Sequence, residues 1–402
     1  MRILNERGID WIEFFWRRNL VATAFRPWIK FIKRSEGFSP LDLYNKMNSD
    51  FRFEFTGFLK INFFKSILLL FFSLTLMKVQ AQDPEFSQYY AAPLYLNPAF
   101  AGTTPDHRFI INYRNQWPNI ARGYVTYAAS YDYNLYQYNS GIGFLATVDQ
   151  AGTAGMKSSQ FNFLYSYKWS ISNKWVISSG LNFGYAVRSI NFNKLLFGDQ
   201  LQFDAQGNVP SDDPAVFNLG NAHYFDFKAG MLAYNKNFWL GFAVGHINEP
   251  NRSLLNQEAY VPMKLTVHGG VRIPLYTGAF KKHSIPVLSP SFVYKRQGNF
   301  QQLDVGAYLL YNPIIMGVWY RGIPITKNVQ GNISQDAAVI ILGFQFNKFE
   351  VTYSYDFTIS SLGPISGGTH EMALTYRMGI QVNEKSKKKE RFIPCPILNR
   401  KE

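Results

Sequence analysis

The sequence predicts an all-β protein, an antiparallel transmembrane β-barrel of about 14 strands in the outer membrane, with each strand about 9–12 residues long. Three observations lead there. Side chains after residue 82 alternate with a period of two, aromatic against polar. The alternating segments have the length of a tilted membrane-spanning strand. An export signal precedes them.

Composition agrees with this reading. Aromatic residues make up 17% of the 402 residues, and charged residues also 17%, against roughly 25% charged in an ordinary soluble domain. The mean hydropathy is slightly negative, too low for a bundle of membrane helices. A barrel fits because lipid-facing and lumen-facing residues alternate and average out. The single cysteine, Cys395, cannot form an internal disulfide. An exported chain without a disulfide frame can still be held by a closed hydrogen-bonded barrel.

The net charge of +14 is concentrated at the ends. Residues 1–81 hold 13 basic and 7 acidic residues, and residues 381–402 hold 7 and 3, so only +4 remains for the body between them. The body has no dense basic face, which argues against nucleic acid as a partner.

The export signal is the apolar run Ile67–Met77, preceded by Lys60 and Lys65 and followed by Val79-Gln80-Ala81. A basic flank, an apolar stretch and small residues at −3 and −1 define a secretory signal peptide over 47–81. Cleavage is expected between Ala81 and Gln82. The run is short for a bilayer span; a retained anchor is the alternative. Residues 1–46, with Trp11, Trp16, Arg17 and Arg18, fit no signal peptide and read as a mis-called upstream extension. The expected start is then Met47 or a non-Met codon nearer Lys60. A cytoplasmic extension is the alternative.

After the signal, 82–106 is rich in turn residues and aromatics and carries Asn97-Pro98. It is expected to dock a partner, or to plug or line the lumen from the periplasmic side. The barrel is expected over 107–380. Within it, Phe161, Phe163, Tyr165, Tyr167 and Trp169 share one face, while Gln160, Asn162, Ser166 and Lys168 share the other, with Leu164 the exception. Val351, Tyr353, Tyr355 and Phe357 alternate with Thr352, Ser354, Asp356 and Thr358; Met372, Leu374 and Tyr376 alternate with Glu371, Thr375 and Arg377. Neighbours on a strand point to opposite faces, so each segment has one oily and one polar side.

Strands are expected to begin near residues 107, 122, 140, 157, 173, 223, 237, 264, 284, 301, 314, 336, 348 and 369. Very short turns, such as Asn312-Pro313 and the one at Asn347, join several of them. Segments 188–222, 247–263, 323–335 and 358–368 are long and rich in Gly, Asn, Asp and Pro, and each follows an odd-numbered strand. Bacterial barrels have short periplasmic turns and longer outer loops, so a periplasmic N-terminus places all four long segments outside. The tail 381–402, with Lys385, Lys387, Lys388 and Lys389 before Phe392-Ile393-Pro394-Cys395-Pro396, then lies in the periplasm, either solvated or docked to a partner.

No catalytic motif stands out. There is no G-x-S-x-G elbow, no H-E-x-x-H and no phosphate-binding loop. No two histidines have metal-ligand spacing, and no metal or cofactor is expected. His370-Glu371 are strand neighbours and point apart. The chain is read as no enzyme. Arg114, Arg321 and Arg377 lie within strands, and an Arg facing lipid at midplane costs roughly 2–4 kcal/mol. They are expected to face the lumen, with Asp304, Asp356 and Glu371 as partners in a structural charge network; a substrate path is the alternative.

Several phrases combine into a resemblance. They are Gln82-Asp83-Pro84-Glu85-Phe86-Ser87-Gln88-Tyr89, Pro93-Leu94-Tyr95-Leu96-Asn97-Pro98-Ala99-Phe100-Ala101-Gly102 and Tyr113-Arg114-Asn115-Gln116-Trp117. Tyr224-Phe225-Asp226, Trp319-Tyr320-Arg321, Tyr353-Ser354-Tyr355-Asp356 and Ser366-Gly367-Gly368-Thr369-His370-Glu371 follow, and the tail closes with the Phe392–Pro396 phrase. The chain resembles the PorP/SprF family of type IX secretion system membrane proteins of Bacteroidetes-type bacteria over essentially all of 82–396. The extension 1–46 and Gly322-Ile323 after Arg321 depart from the family pattern.

The resemblance implies a non-enzymatic outer-membrane barrel that works with the type IX translocon. It would support secretion or surface attachment of cargo proteins with C-terminal sorting domains, gliding adhesins included. Periplasmic, peptidoglycan-associated components are further implied partners, and outer-membrane lipid surrounds the barrel. Phe86, Ser87, Gln88, Tyr89, Asn97, Pro98, Phe392 and Pro394 are the expected partner-binding residues. The alternative is a general diffusion or uptake channel, which a wide polar lumen would favour and an occluded one would not.

Overall fold

The computed structural model describes residues 83–379, except 106, 121–122, 153–154, 173, 192–194, 196–197, 204–210, 213–219, 256, 276–284, 328–332 and 361–362. The expected signal peptide with its Ala81-Gln82 cleavage site, the upstream extension, and the tail with Phe392 and Pro394 lie outside the described residues.

Fourteen strands follow one another around a closed sheet. They are β1 (His107–Gln116), β2 (Tyr124–Leu135), β3 (Ser140–Ala151), β4 (Met156–Ser170), β5 (Val176–Ser189), β6 (Ala222–Tyr234), β7 (Phe238–Gly245) and β8 (Lys264–Val271). β8 resumes over Ile273–Pro274 after a break at Arg272. Then come β9 (Val287–Gln297), β10 (Phe300–Tyr311), β11 (Ile314–Lys327), β12 (Ile333–Phe346), β13 (Phe349–Thr358) and β14 (Thr369–Met378). Each strand pairs antiparallel with the next, and β14 returns to β1 with His107 opposite Met378 and Gln116 opposite Thr369. Closure leaves no unpaired edge, the condition for crossing a membrane with strands.

The alternation of the sequence becomes the two sides of the wall. Phe161, Phe163, Tyr165 and Trp169 on β4 are exposed on the outside, while Asn162, Leu164 and Ser166 are buried inside. The same division holds on β13, with Val351, Tyr353 and Phe357 outward and Thr352, Ser354 and Asp356 inward. The outward residues of all strands form the apolar, ring-rich band that a bilayer covers. Leu164, the exception in its run, faces inward and is fully buried.

Most strand starts fall within three residues of expectation. The expected loop 323–335 does not form as such. β11 continues to Lys327 and β12 starts at Ile333, with register shifts at Arg321/Gly322 and Ile323/Lys327. Gly322 at φ 142° and these bulges absorb the irregular stretch around Pro324, so the ladder outlasts the turn signals.

Long connections 190–221, 246–263 and 359–368 follow β5, β7 and β13, and mark the outer end. The opposite end carries short turns, such as Asn347-Lys348 with Asn347 in the left-handed region at φ 50°. One longer connection, 275–286, interrupts that pattern.

Candidate functional site: the filled lumen

Residues 83–105 lie inside the barrel and pack against its inner wall. Proline shapes this segment. A 3-10 turn over Tyr89–Ala91 precedes one α-turn over Pro93–Leu96 and a second 3-10 turn over Pro98–Phe100. Pro93 and Pro98 each open a turn, where a fixed φ is helpful and the missing N–H costs nothing. Asn97 caps the second 3-10 turn by accepting from the Ala99 amide at 2.9 Å.

The middle of the segment rests on rings and on missing side chains. Tyr90, wholly buried, meets Trp239 edge-on at 5.7 Å, and Tyr308 and Trp319 flank it. Phe100 stacks on His268 at 5.3 Å. On the other side, Gly180 of β5 and Gly230 of β6 sit opposite each other in register. A Cβ at Gly230 would fall on the Asn97 carboxamide, and one at Gly180 on the Pro98–Ala99 peptide. The two glycines make the smooth wall on which the 97–99 turn lies.

Polar groups of the wall satisfy the backbone of the segment. Asn112 donates to the Ala91 carbonyl at 3.1 Å, Ser178 to Ala99 at 2.9 Å and Ser166 to Ala101 at 2.7 Å. Lys168 donates to the Gly102 carbonyl and to Asn134. The Asn97 amide donates to the Met231 and Phe242 carbonyls at 3.1 and 3.2 Å and lies 3.1 Å from His268 Nε2. Replacing Asn97 by alanine leaves those carbonyls and the Ala99 amide without this partner. The expected cost is about 1–3 kcal/mol, read as a lowered unfolding midpoint in detergent; an unchanged midpoint would show that the cap is dispensable.

Charges hold the segment in three places. The central one is a hub on Ser87. Its amide and that of Gln88 donate to the two oxygens of Glu371 at 2.7 and 3.0 Å. Its hydroxyl donates to Asp356 and accepts from Arg114 at 2.6 Å and Arg321 at 2.7 Å. Arg114 also reaches Glu371 at 2.9 Å, and Arg321 reaches Asp356 at 3.2 Å and Asp304 at 3.1 Å. All five charged residues are buried. Buried charge is tolerated only when paired and hydrogen-bonded, and here the N-terminal segment supplies part of that pairing.

The inner place is Arg108 with Asp132 at 2.7 Å, Asp132 also accepting from the Gly102 amide at 2.9 Å. The outer place joins Asp83 to His246 at 2.7 Å, with His246 bound on its other nitrogen to Asp226 at 2.8 Å. Lys264 lies 3.8 Å from Asp83 and 3.2 Å from Glu85, and Lys295 pairs with Glu85. Burial pushes the Glu85 carboxyl up, but Lys295 and Lys264 outweigh it and hold it at about 2. Burial likewise raises Asp83, and His246 with Lys264 and Lys228 brings it well below the usual range.

His246, just beyond β7, is shifted the other way. Burial alone would lower its pKa, and Asp83 and Asp226 outweigh burial and raise it above the ordinary 6.5. A raised folded pKa contributes stability that is complete below the unfolded value and lost as pH rises through the folded one. The outer end of the segment is therefore expected to loosen as pH rises above the ordinary histidine value of 6.5. A spin label at Pro84→Cys, in a Cys395→Ser chain, should gain mobility as pH climbs through that range, and His246→Gln should make the response flat. A pH response that survives His246→Gln would assign the titration elsewhere.

The structure thus unites two groups of residues that the sequence kept apart. Ser87 and Gln88 meet Arg114, Arg321, Asp304, Asp356 and Glu371 in one network. Phe86 packs edge-on against Tyr95 at 5.2 Å, and Tyr89 against Trp319 at 5.4 Å. Phe86, Ser87, Gln88, Tyr89, Asn97 and Pro98 are all buried within the barrel, so their side chains are engaged by the wall. Arg377, grouped with the network from the sequence, does not reach it. It pairs with Glu350 at 2.8 Å near the inner end. It lies six positions along β14 from Glu371, about 20 Å at ~3.3 Å per residue. Glu371 faces inward and His370 contacts Tyr353 at 2.8 Å outside, so the two never share a site.

Sequence reasoning missed Arg108, Asp132, Asp83, Glu85, Asp226 and His246. Arg108 had a usable signal: it shares the inward face of β1 with Asn112 and Arg114. The His246–Asp83 contact had none, because it depends on where residue 83 ends up. Above the segment, on the outer side, an open polar cavity of about 520 Å³ is lined by Asp83, Glu85, Asp149, Arg188, His246 and Arg252, among others.

A closed barrel whose lumen is filled by the chain's own N-terminal segment defines a plugged outer-membrane β-barrel. The chain belongs to the type IX secretion system membrane protein PorP/SprF family, which it matches over residues 78–376. It is thus an outer-membrane barrel of the type IX secretion system. No curated protein matches it. Among solved structures it is similar to the toluene transporter TodX of Pseudomonas putida, at 12% identity and TM-score 0.43, covering 76% of this chain and 100% of that one. The toluene transporter TbuX of Ralstonia pickettii gives 9%, 0.40, 72% and 94% in the same order. BamA of Haemophilus ducreyi lacking POTRA domains 1–3 gives 9%, 0.36, 68% and 70%. The architecture of this chain rests on its own strand pairing, not on these distant likenesses.

Proposed function

We propose that this barrel supports the secretion or surface attachment of cargo proteins with C-terminal sorting domains, gliding adhesins among them, and that it does so without catalysis. The signal peptide over 47–81 exports it, and periplasmic, peptidoglycan-associated components are its partners on the inner side. The observation that carries the reading is the lumen filled by residues 83–105, with Tyr90, Ala99 and Phe100 fully buried there. A general diffusion channel needs a continuous wet path, and this lumen is occupied by packed rings and paired charges. The protein then acts through its long outer loops and its periplasmic face.

The test is a gene deletion with complementation, comparing surface and supernatant proteomes. Selective loss of one or a few large proteins with C-terminal sorting domains is the expected result. Loss of every such protein would make the barrel a core part of the machine. An unchanged secretome together with altered small-solute uptake, and swelling of liposomes carrying the purified protein, would overturn the secretion reading in favour of the channel.

A further inference from the structure

The filled lumen has a direction. Asp83 contacts His246 at 2.7 Å and lies 3.9 Å from Arg252. Both belong to the 246–263 connection, one of the long loops of the outer end. Ser87 and Gln88 contact Asp356 and Glu371, the outer ends of β13 and β14, and Arg114, near the outer end of β1. Ala91 is level with Asn112, in the middle of β1. Gly102 contacts Asp132 and Lys168, at the inner ends of β2 and β4. The Pro105 carbonyl accepts from Tyr136 at 2.5 Å, in the short turn between β2 and β3. From there the chain enters β1 at His107, on the same inner side.

We infer that the plug is threaded outward, so that Asp83 opens onto the cell exterior and the amino-terminal end of the plug is displayed at the cell surface. The two ends of the segment lie at opposite mouths, 83–88 at the outer one and 102–105 at the inner one, while Tyr95 in the middle reaches back to the Pro84 carbonyl. The length suffices: an extended strand covers ~3.3 Å per residue, so about a third of this segment, fully extended, would cross an apolar band of roughly 25 Å, and the three compact turns use the rest. The outer end is fixed by charge, through Asp83 and Glu85 on His246, Lys264 and Lys295. The inner end is fixed by carbonyls of the segment on Ser166, Ser178 and Lys168. The plug end and the loop 246–263 are therefore parts of one external surface. Residue 83 is approached from outside the cell through the outer cavity, and the other end of the segment is approached from the periplasm at Pro105.

An epitope inserted between Gln82 and Asp83 tests this in whole cells. Matching epitopes in the 246–263 loop and in the 171–175 turn serve as outer and inner references. Antibody is expected to label the first two on intact cells and the third only after the outer membrane is permeabilised. Labelling of the 82/83 site only after permeabilisation would overturn the inference. Cysteine pairs decide the matter if an epitope disturbs assembly or is lost. In a Cys395→Ser chain, Asp83→Cys with Arg252→Cys is expected to be joined in the assembled barrel by a bifunctional thiol cross-linker about as long as the arginine side chain that spans the gap, and Asp83→Cys with Asn134→Cys is not. The reverse pattern, with Asp83→Cys cross-linked to Asn134→Cys, would place residue 83 at the inner mouth.

Discussion

Gly180→Val is expected to open the lumen. The wall at Gly180 approaches the plug backbone so closely that a Cβ would meet the Ala99 nitrogen and the Pro98 carbonyl. Backbone cannot rotate away as a side-chain tip can, so the 97–99 turn has to leave. With it go the Asn97 contacts to Met231, Phe242 and His268 and the Ser178 bond to Ala99. Overpacking of this kind costs about 1–3 kcal/mol, and the lost buried hydrogen bonds add about 1 kcal/mol each. The barrel wall itself keeps its ladder, because Gly180 pairs with Gly230 through the backbone alone. Planar bilayers should show conductance steps for Gly180→Val where the parent protein is closed. Gly198→Ala, with nothing within 4 Å of the added methyl, is the control and should remain closed. A closed Gly180→Val barrel of normal stability would mean that the plug does not rest on this wall.

Arg321→Met is expected to destabilise the barrel by about 3–5 kcal/mol, the cost of leaving buried charges without their partner. Arg321 is buried and binds Asp304, Asp356 and the Ser87 hydroxyl at 3.1, 3.2 and 2.7 Å. Asp304 keeps Gln302 at 2.8 Å and Lys295 at 3.6 Å, and Asp356 keeps Arg114 at 3.3 Å, so neither carboxylate is wholly abandoned. The measurement is reversible urea unfolding in detergent. Adding Asp356→Asn to the same chain should return part of the loss, since it removes one of the charges Arg321 compensated. A cycle with no coupling between the two positions would show that the hub is a collection of independent contacts.

The strands were legible because they follow a local rule. Outward and inward residues alternate, and the register of β4 or β13 can be read from Phe161, Phe163 and Tyr165, or from Val351, Tyr353 and Phe357, without knowing their neighbours. The strand that turn signals concealed was the outer half of β11, where bulges carried pairing past Pro324. The inward charges were legible in part. Arg114, Arg321, Asp304, Asp356 and Glu371 stood out because lipid would not accept them. Arg377 obeyed the same rule and still sits apart with Glu350, because distance along a strand does not appear in the alternation.

What the sequence by itself determined was the set of local choices: closed wall, oily exterior, polar interior and an N-terminal segment broken into turns by Pro93 and Pro98. The physical reason is that each depends on dihedral preference and on which side of a pleat a residue falls. Only the tertiary structure decided what the interior holds. Ser87 meets Asp356 across 269 positions of sequence, and Asp83 meets His246 across 163. Those contacts arise when the barrel closes around the plug, because buried Arg and carboxylate groups with unmet hydrogen bonds are satisfied by whichever backbone fills the space between them.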